Sequence, residues 1–115
     1  MKFIDNKTHG FLDYITVIVF AAIPKVLGLE GIPEYLSYAL AVVHLLMTIL
    51  TNFELGIIKV IPLKVHAWVE MAVGPALVVI PWVLGFSGDM KARIFFMAAG
   101  IVIILVGRLS QYKAN

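Results

Sequence analysis

The chemistry open to this chain rests on three histidines and a few acids. His9 stands four residues before Asp13, and His66 stands four before Glu70. On a helix that spacing puts both members of a pair on one face. Two imidazoles and two carboxylates brought from two helices could hold a divalent cation or relay a proton. The plainer reading is two separate hydrogen bonds, each near the entrance of its own helix, where a carboxylate also meets the positive end of the helix dipole. A metal site in a bundle needs all four groups to converge, so the sequence assigns neither a metal nor a cofactor. Arg108 falls at the same depth and is the candidate counter-charge for Asp13 or Glu70, with Thr51, Asn52 and Glu54 nearby. His44 stands apart, near the middle of its own apolar run. An ionisable group at bilayer depth is a functional candidate by default. The commoner outcome is an imidazole buried against protein and bonded to Thr16, Thr48 or a backbone carbonyl.

What must position these groups is a hydrophobic chain. Of its 115 residues, 62% are hydrophobic and 14% charged, and the mean hydropathy is +1.01. Soluble domains carry about 25% charged residues, and a fold this small has too little interior to hide so much apolar surface. A soluble monomer, a disordered tail and a nucleic-acid binder are excluded. There is no Cys, hence no thiol nucleophile, disulfide or Cys-based metal site. Neither a Gly-rich phosphate loop nor a His-Glu-x-x-His motif is present, and the chain is not expected to be an enzyme.

Four apolar runs, about 9–28, 34–53, 65–85 and 91–109, each have the length that spans roughly 30 Å of hydrocarbon as a helix. The first follows basic residues as a secretion signal does. Asp13 within it and the lack of a small-x-small cleavage site mark it as a retained membrane helix. Turn residues punctuate the runs: Gly28, Gly31 and Pro33, then Asn52, Glu54, Gly56 and Pro62, then Gly85, Ser87, Gly88 and Asp89. The middle connection, 52–64, is longer and partly apolar and is expected in the headgroup region. Pro24 and Pro81 are expected to end or bend the first and third helices, and Gly74-Pro75 to kink the third. Gly100 and Gly107 would let another helix approach, and Trp82 sits where aromatic rings anchor at the interface.

The strongest organising signal is an internal repeat. Displaced by 57 residues and without a gap, the segment from Lys7 to Gly31 lies over the segment from Lys64 to Gly88. Lys7, His9, Ile23, Pro24, Val26, Leu27, Gly28 and Gly31 meet identical residues, and Asp13 meets Glu70. Each unit holds two helices, so both copies enter the membrane from the same side and the repeat is parallel. The expected fold is all-α: a four-transmembrane-helix bundle of two parallel two-helix repeats, about 7–56 and 64–113, in one membrane domain over 1–115. Lys2, Lys7, Lys59, Lys64, Arg108 and Lys113 lie at one end, and Lys25, Lys91 and Arg93 at the other. The positive-inside rule then puts both termini in the cytoplasm. If the two-fold axis runs between the repeats, His9, Asp13, His66 and Glu70 converge near it on the cytoplasmic side.

A His with an acid four residues on, followed by a Pro-centred turn ending in Gly, twice in four helices, resembles the SPW-repeat family of small prokaryotic membrane proteins. The name-giving tripeptide reads Ile23-Pro24-Lys25 in the first unit and Ile80-Pro81-Trp82 in the second. The stretch LTNFELGIIKVIPLKVHAWVE, 50–70, is similar to the link between repeats in that family. The resemblance implies architecture and a plasma- or inner-membrane location, and brings no reaction or ligand. Two functions stay open. One is a non-enzymatic structural or accessory module of the bilayer that self-associates as a homo-oligomer. The other is a small proton- or ion-linked carrier, again as an oligomer, using the repeated His–carboxylate pairs.

Overall fold

The structure, a computed structural model, describes residues 2–111. Lys113 and the end of the second repeat unit lie outside them. Four helices follow one another: α1 (Asn6–Leu27), α2 (Ile32–Leu50), α3 (Leu63–Val83) and α4 (Met90–Leu109). All four are long and apolar enough to cross a membrane. The extensive packing is α1 on α2 and α3 on α4, so the molecule is two helical hairpins side by side.

Local chemistry sets the helix ends. Asp5 caps α1 by accepting from the Thr8 N–H at 2.7 Å. Asp89 caps α4 through the Ala92 N–H at 3.2 Å. Gly28 and Gly85, both at positive φ, turn the chain out of α1 and α3. In each turn the next N–H, from Leu29 or Phe86, closes back on the carbonyl of Pro24 or Pro81 at 2.8 Å. The two prolines therefore do not end their helices. They sit in the last turn, and each supplies the carbonyl on which that turn closes. Lacking an N–H, Pro24 also leaves the Phe20 carbonyl without its helical donor, and the buried Ser37 hydroxyl of α2 donates to it at 2.7 Å.

α3 runs unbroken through Pro75. Beside that residue α3 and α4 come into backbone contact: a Cβ on Gly100 would stand 2.5 Å from the Gly74 carbonyl oxygen. Past this crossing Phe20, Phe96, Leu77, Ala92 and Phe86 fill the core, with the rings of Phe86, Phe95 and Phe96 edge to face. Outward positions such as Ile18, Val26, Val42 and Val79 are exposed apolar residues, as lipid requires. Trp68 and Trp82, both exposed, stand near opposite ends of α3.

At the opposite end two short backbone pairings tie one hairpin to the other. Ile4 donates to the Leu109 carbonyl and accepts from the Gln111 N–H, at 2.9 and 2.8 Å. Ile61 does the same with Leu50 and Asn52, at 2.7 and 2.8 Å. The start of α1 is thus fastened to the end of α4, and the start of α3 to the end of α2. The middle connection folds back beneath the helices, with Ile57, Ile58 and Val60 on its exposed side. Its Phe53 is buried against Gly10, and the Leu55 carbonyl accepts from the Tyr14 hydroxyl at 2.8 Å.

Candidate functional site

The two backbone pairings bring the chemistry-bearing residues together. His9 and Asp13, one turn apart on α1, face His66 and Glu70, one turn apart on α3. All four are at least 95% buried. His9 Nε2 lies 2.9 Å from Glu70 Oε2 and 3.4 Å from Asp13 Oδ1. His66 Nε2 lies 2.8 Å from Glu70 Oε1 and 3.1 Å from Asp13 Oδ2. Each imidazole therefore touches both carboxylates, and each carboxylate bridges both imidazoles. The expectation of convergence describes this arrangement; separate pairs at separate helix ends do not.

The outer hydrogen bonds assign the Nδ1 proton of both rings. Ser110 at the end of α4 gives its single hydroxyl proton to the Val106 carbonyl at 2.5 Å. In its 2.7 Å bond to His9 Nδ1 the hydroxyl must then accept, so Nδ1 carries a proton. Thr51 at the end of α2 donates to the Met47 carbonyl and by the same logic accepts from His66 Nδ1 at 2.7 Å. Both rings are thus fixed with Nδ1–H outward and Nε2 toward the carboxylates. A nitrogen lone pair facing carboxylate oxygens is repulsive. The four contacts close only with a positive centre between nitrogen and oxygen, either a proton in each pair or one cation among all four. Asp13 Oδ2 is buried yet has no partner in hydrogen-bonding direction, even though His66 Nε2 is close.

His44 joins this group instead of standing apart. Its Nε2 lies 3.4 Å from Asp13 Oδ1, and its ring is 6.5 Å from that of His66. Neither Thr16 nor Thr48 takes its ring: Thr16 donates to the Leu12 carbonyl, and Thr48 to the backbone carbonyl of His44 itself. His44 is six residues before the end of α2, roughly 9 Å along the axis. That is the level of Asp13 on α1. Arg108 is a second correction. It is exposed on α4 and, among the described residues, makes no ion pair with Asp13 or Glu70. At that point of α4 its side chain lies on the exposed side of the helix. The histidines supply the positive partners in its place.

Phe53 closes the near end of the site, its ring 6.2 Å from that of His66. Gly10 makes room for it, since a Cβ there would stand 2.3 Å from the ring. On the other side the site meets a crevice of about 320 Å³ between α1 and α4, with walls such as Ile15, Val19, Ala99 and Val102 and with Asp13, His44 and Glu70 at its polar end. The corresponding gap between α2 and α3 holds only about 30 Å³. Leu40 and Met47 fill it where the open crevice has Ala99 and Val106. Phe53, Ser110 and the unequal gaps were not named from the sequence. A serine or threonine one residue past the last apolar helical position is the only trace of the outer hydrogen bonds in the one-dimensional pattern.

The model of the SPW repeat domain family matches residues 7–110, nearly the whole chain, and the protein belongs to that family. Comparison with curated proteins gives no match, and comparison with solved structures gives none.

Proposed function

We propose that this SPW repeat protein is a non-enzymatic, proton-linked carrier unit of the cell membrane that holds and passes protons at the His9–Asp13–His66–Glu70 quartet. One observation carries the reading: four ionisable side chains from two hairpins share a single buried site in a chain whose helices are all long and apolar enough to span a membrane. Burying two carboxylates in lipid is expensive unless each is paired. Holding both beside imidazoles that can take or release a proton is what a relay requires. The crevice between α1 and α4 gives Asp13 and Glu70 a second side of approach. The Lys and Arg count supports an orientation with both termini and the middle connection in the cytoplasm. The quartet then sits toward the cytoplasmic face. Four helices enclose little volume, so a path across the bilayer calls for self-association as a homo-oligomer.

The test is a pH-gradient assay in proteoliposomes loaded with a pH-sensitive dye. Wild-type protein is expected to dissipate an imposed gradient faster than protein-free vesicles, and Asp13→Asn and Glu70→Gln to lose the difference. Wild type indistinguishable from empty vesicles would overturn the reading.

A second reading, the structural or accessory module, is favoured by the sparse packing between the hairpins away from the quartet. There the four groups act as a clamp. Glu70→Gln then lowers stability in detergent, and the wild type shows no proton flux.

A further inference from the structure

We propose that His9, Asp13, His66 and Glu70 form a binding site for one divalent transition-metal ion held between the two helical hairpins. The proposal deepens the reading of the same quartet as a cation-handling site, because it names what else can occupy the place of the protons.

Geometry is the first support. One ligand atom from each of the four residues can be chosen so that all lie within 4.8 Å of one another. The widest of these separations exceeds the edge, about 3.3–3.6 Å, of a tetrahedron built on transition-metal bonds of about 2.0–2.2 Å by roughly 1–1.5 Å, so the side chains draw inward to close on an ion. Each imidazole Nε2 already stands 2.8–3.4 Å from one oxygen of each carboxylate, close to that edge, the two nitrogens meeting different oxygens. The donors are drawn from two helices in His-x-x-x-acid pairs, so closing on an ion needs side-chain adjustment and no rearrangement of the backbone.

The second support is orientation. Metal-bound histidines ordinarily donate their other N–H to an oxygen, which fixes the tautomer and aims the ligating nitrogen. Ser110 and Thr51 do this for His9 and His66, and both Nε2 atoms point inward. Third, Asp13 Oδ2 is buried, directed into the cluster and without a hydrogen-bond partner, which is the condition of a ligand atom. Its other oxygen is steadied by His44. Finally, two carboxylates and one dication sum to zero, and in a membrane interior a neutral centre is far cheaper than a charged one. Two imidazole nitrogens with two carboxylate oxygens select borderline ions such as Zn²⁺, Fe²⁺ or Co²⁺. Mg²⁺ and Ca²⁺ prefer sites made of oxygen alone.

The test uses the full chain in detergent, freed of any affinity tag and stripped of metal by a chelator. Co²⁺ is titrated in, with Zn²⁺ as competitor and Mg²⁺ in excess throughout. The wild type is expected to bind one Co²⁺ per chain, with the intense visible bands of a four-coordinate ion, and Zn²⁺ should displace it. Asp13→Asn and Glu70→Gln are expected to weaken binding at least tenfold with helix content unchanged. No binding by the wild type, or equal binding by the variants, overturns the proposal. Should the variants fail to fold, X-ray absorption of the Zn²⁺-loaded wild type decides: two imidazoles with oxygen neighbours are expected, and an all-oxygen shell is the contrary result. Metal binding without proton flux would leave this site standing and remove the carrier reading. Proton flux without metal binding would do the reverse.

Discussion

At the scale of single residues, function depends on which atom carries a proton. Thr51 and Ser110 are the positioning residues, since their hydroxyls hold His66 and His9 with Nε2 inward. Thr51→Val keeps the shape and removes the acceptor, so His66 is free to adopt the other tautomer. We predict a 10- to 100-fold loss of Co²⁺ affinity, the range for lost outer hydrogen bonds at metal sites, with helix content unchanged; titration of the variant beside the wild type checks it. Outside the membrane, Asp5 offers a pH-dependent contact. The backbone N–H of Thr8 stabilises its carboxylate and holds its pKa below the ordinary value. A depressed value means that the cap contributes fully above the ordinary carboxylate range and is lost as pH falls through the folded pKa. Carboxyl carbon shifts of Asp5 followed by NMR should therefore titrate below those of Asp5 in an unfolded peptide. The His–acid spacing of four was readable in the sequence because it is local. The role of Arg108 was misread because depth along a helix says nothing about which way a side chain points.

At the scale of elements, two contacts carry most of the arrangement that the sequence did not show. Ser37 rescues the carbonyl that Pro24 strands, joining α1 to α2. Ser37→Ala leaves the Phe20 carbonyl buried and unpaired, which costs about 1–3 kcal/mol; unfolding in mixed detergent micelles should show that loss. Where α3 crosses α4, a methyl on Gly100 meets the Gly74 carbonyl. Gly100→Ala should cost a similar amount, about 1–3 kcal/mol, through overpacking. Gly88→Ala, with nothing within 4 Å of its Cβ, is the matched control and should be neutral. The four spans were legible from run length alone, since lipid demands about twenty apolar residues whatever their order. Gly100 was legible as a small residue in a span. The Ser37 bond was not, because it joins residues of different helices across a turn.

At the scale of the whole molecule, the 57-residue displacement found the paired histidines, acids, prolines and turn glycines. It did not find that the ends of α2 and α4 correspond at 59 residues: Thr51 answers to Ser110, and Asn52 to Gln111. The connection after α3 is longer than the one after α1, and that difference moves the register of the second helix in each hairpin. His44 therefore corresponds to Ile103, 59 residues on, and both line the two gaps beside the quartet. Topology is checked by reporter fusions at Asn115 and in the Glu30–Pro33 turn, which should report opposite sides with Asn115 cytoplasmic. The central feature of the molecule is one buried site shared by two hairpins. Its most direct measurement is nitrogen NMR of the histidine rings in the wild type, Asp13→Asn and Glu70→Gln. Because each carboxylate bridges both rings, either substitution should shift the Nε2 signals of His9 and His66 together, with both Nδ1 still protonated. If Asp13→Asn moves only His9 and Glu70→Gln moves only His66, the pairs are separate and the shared site does not exist.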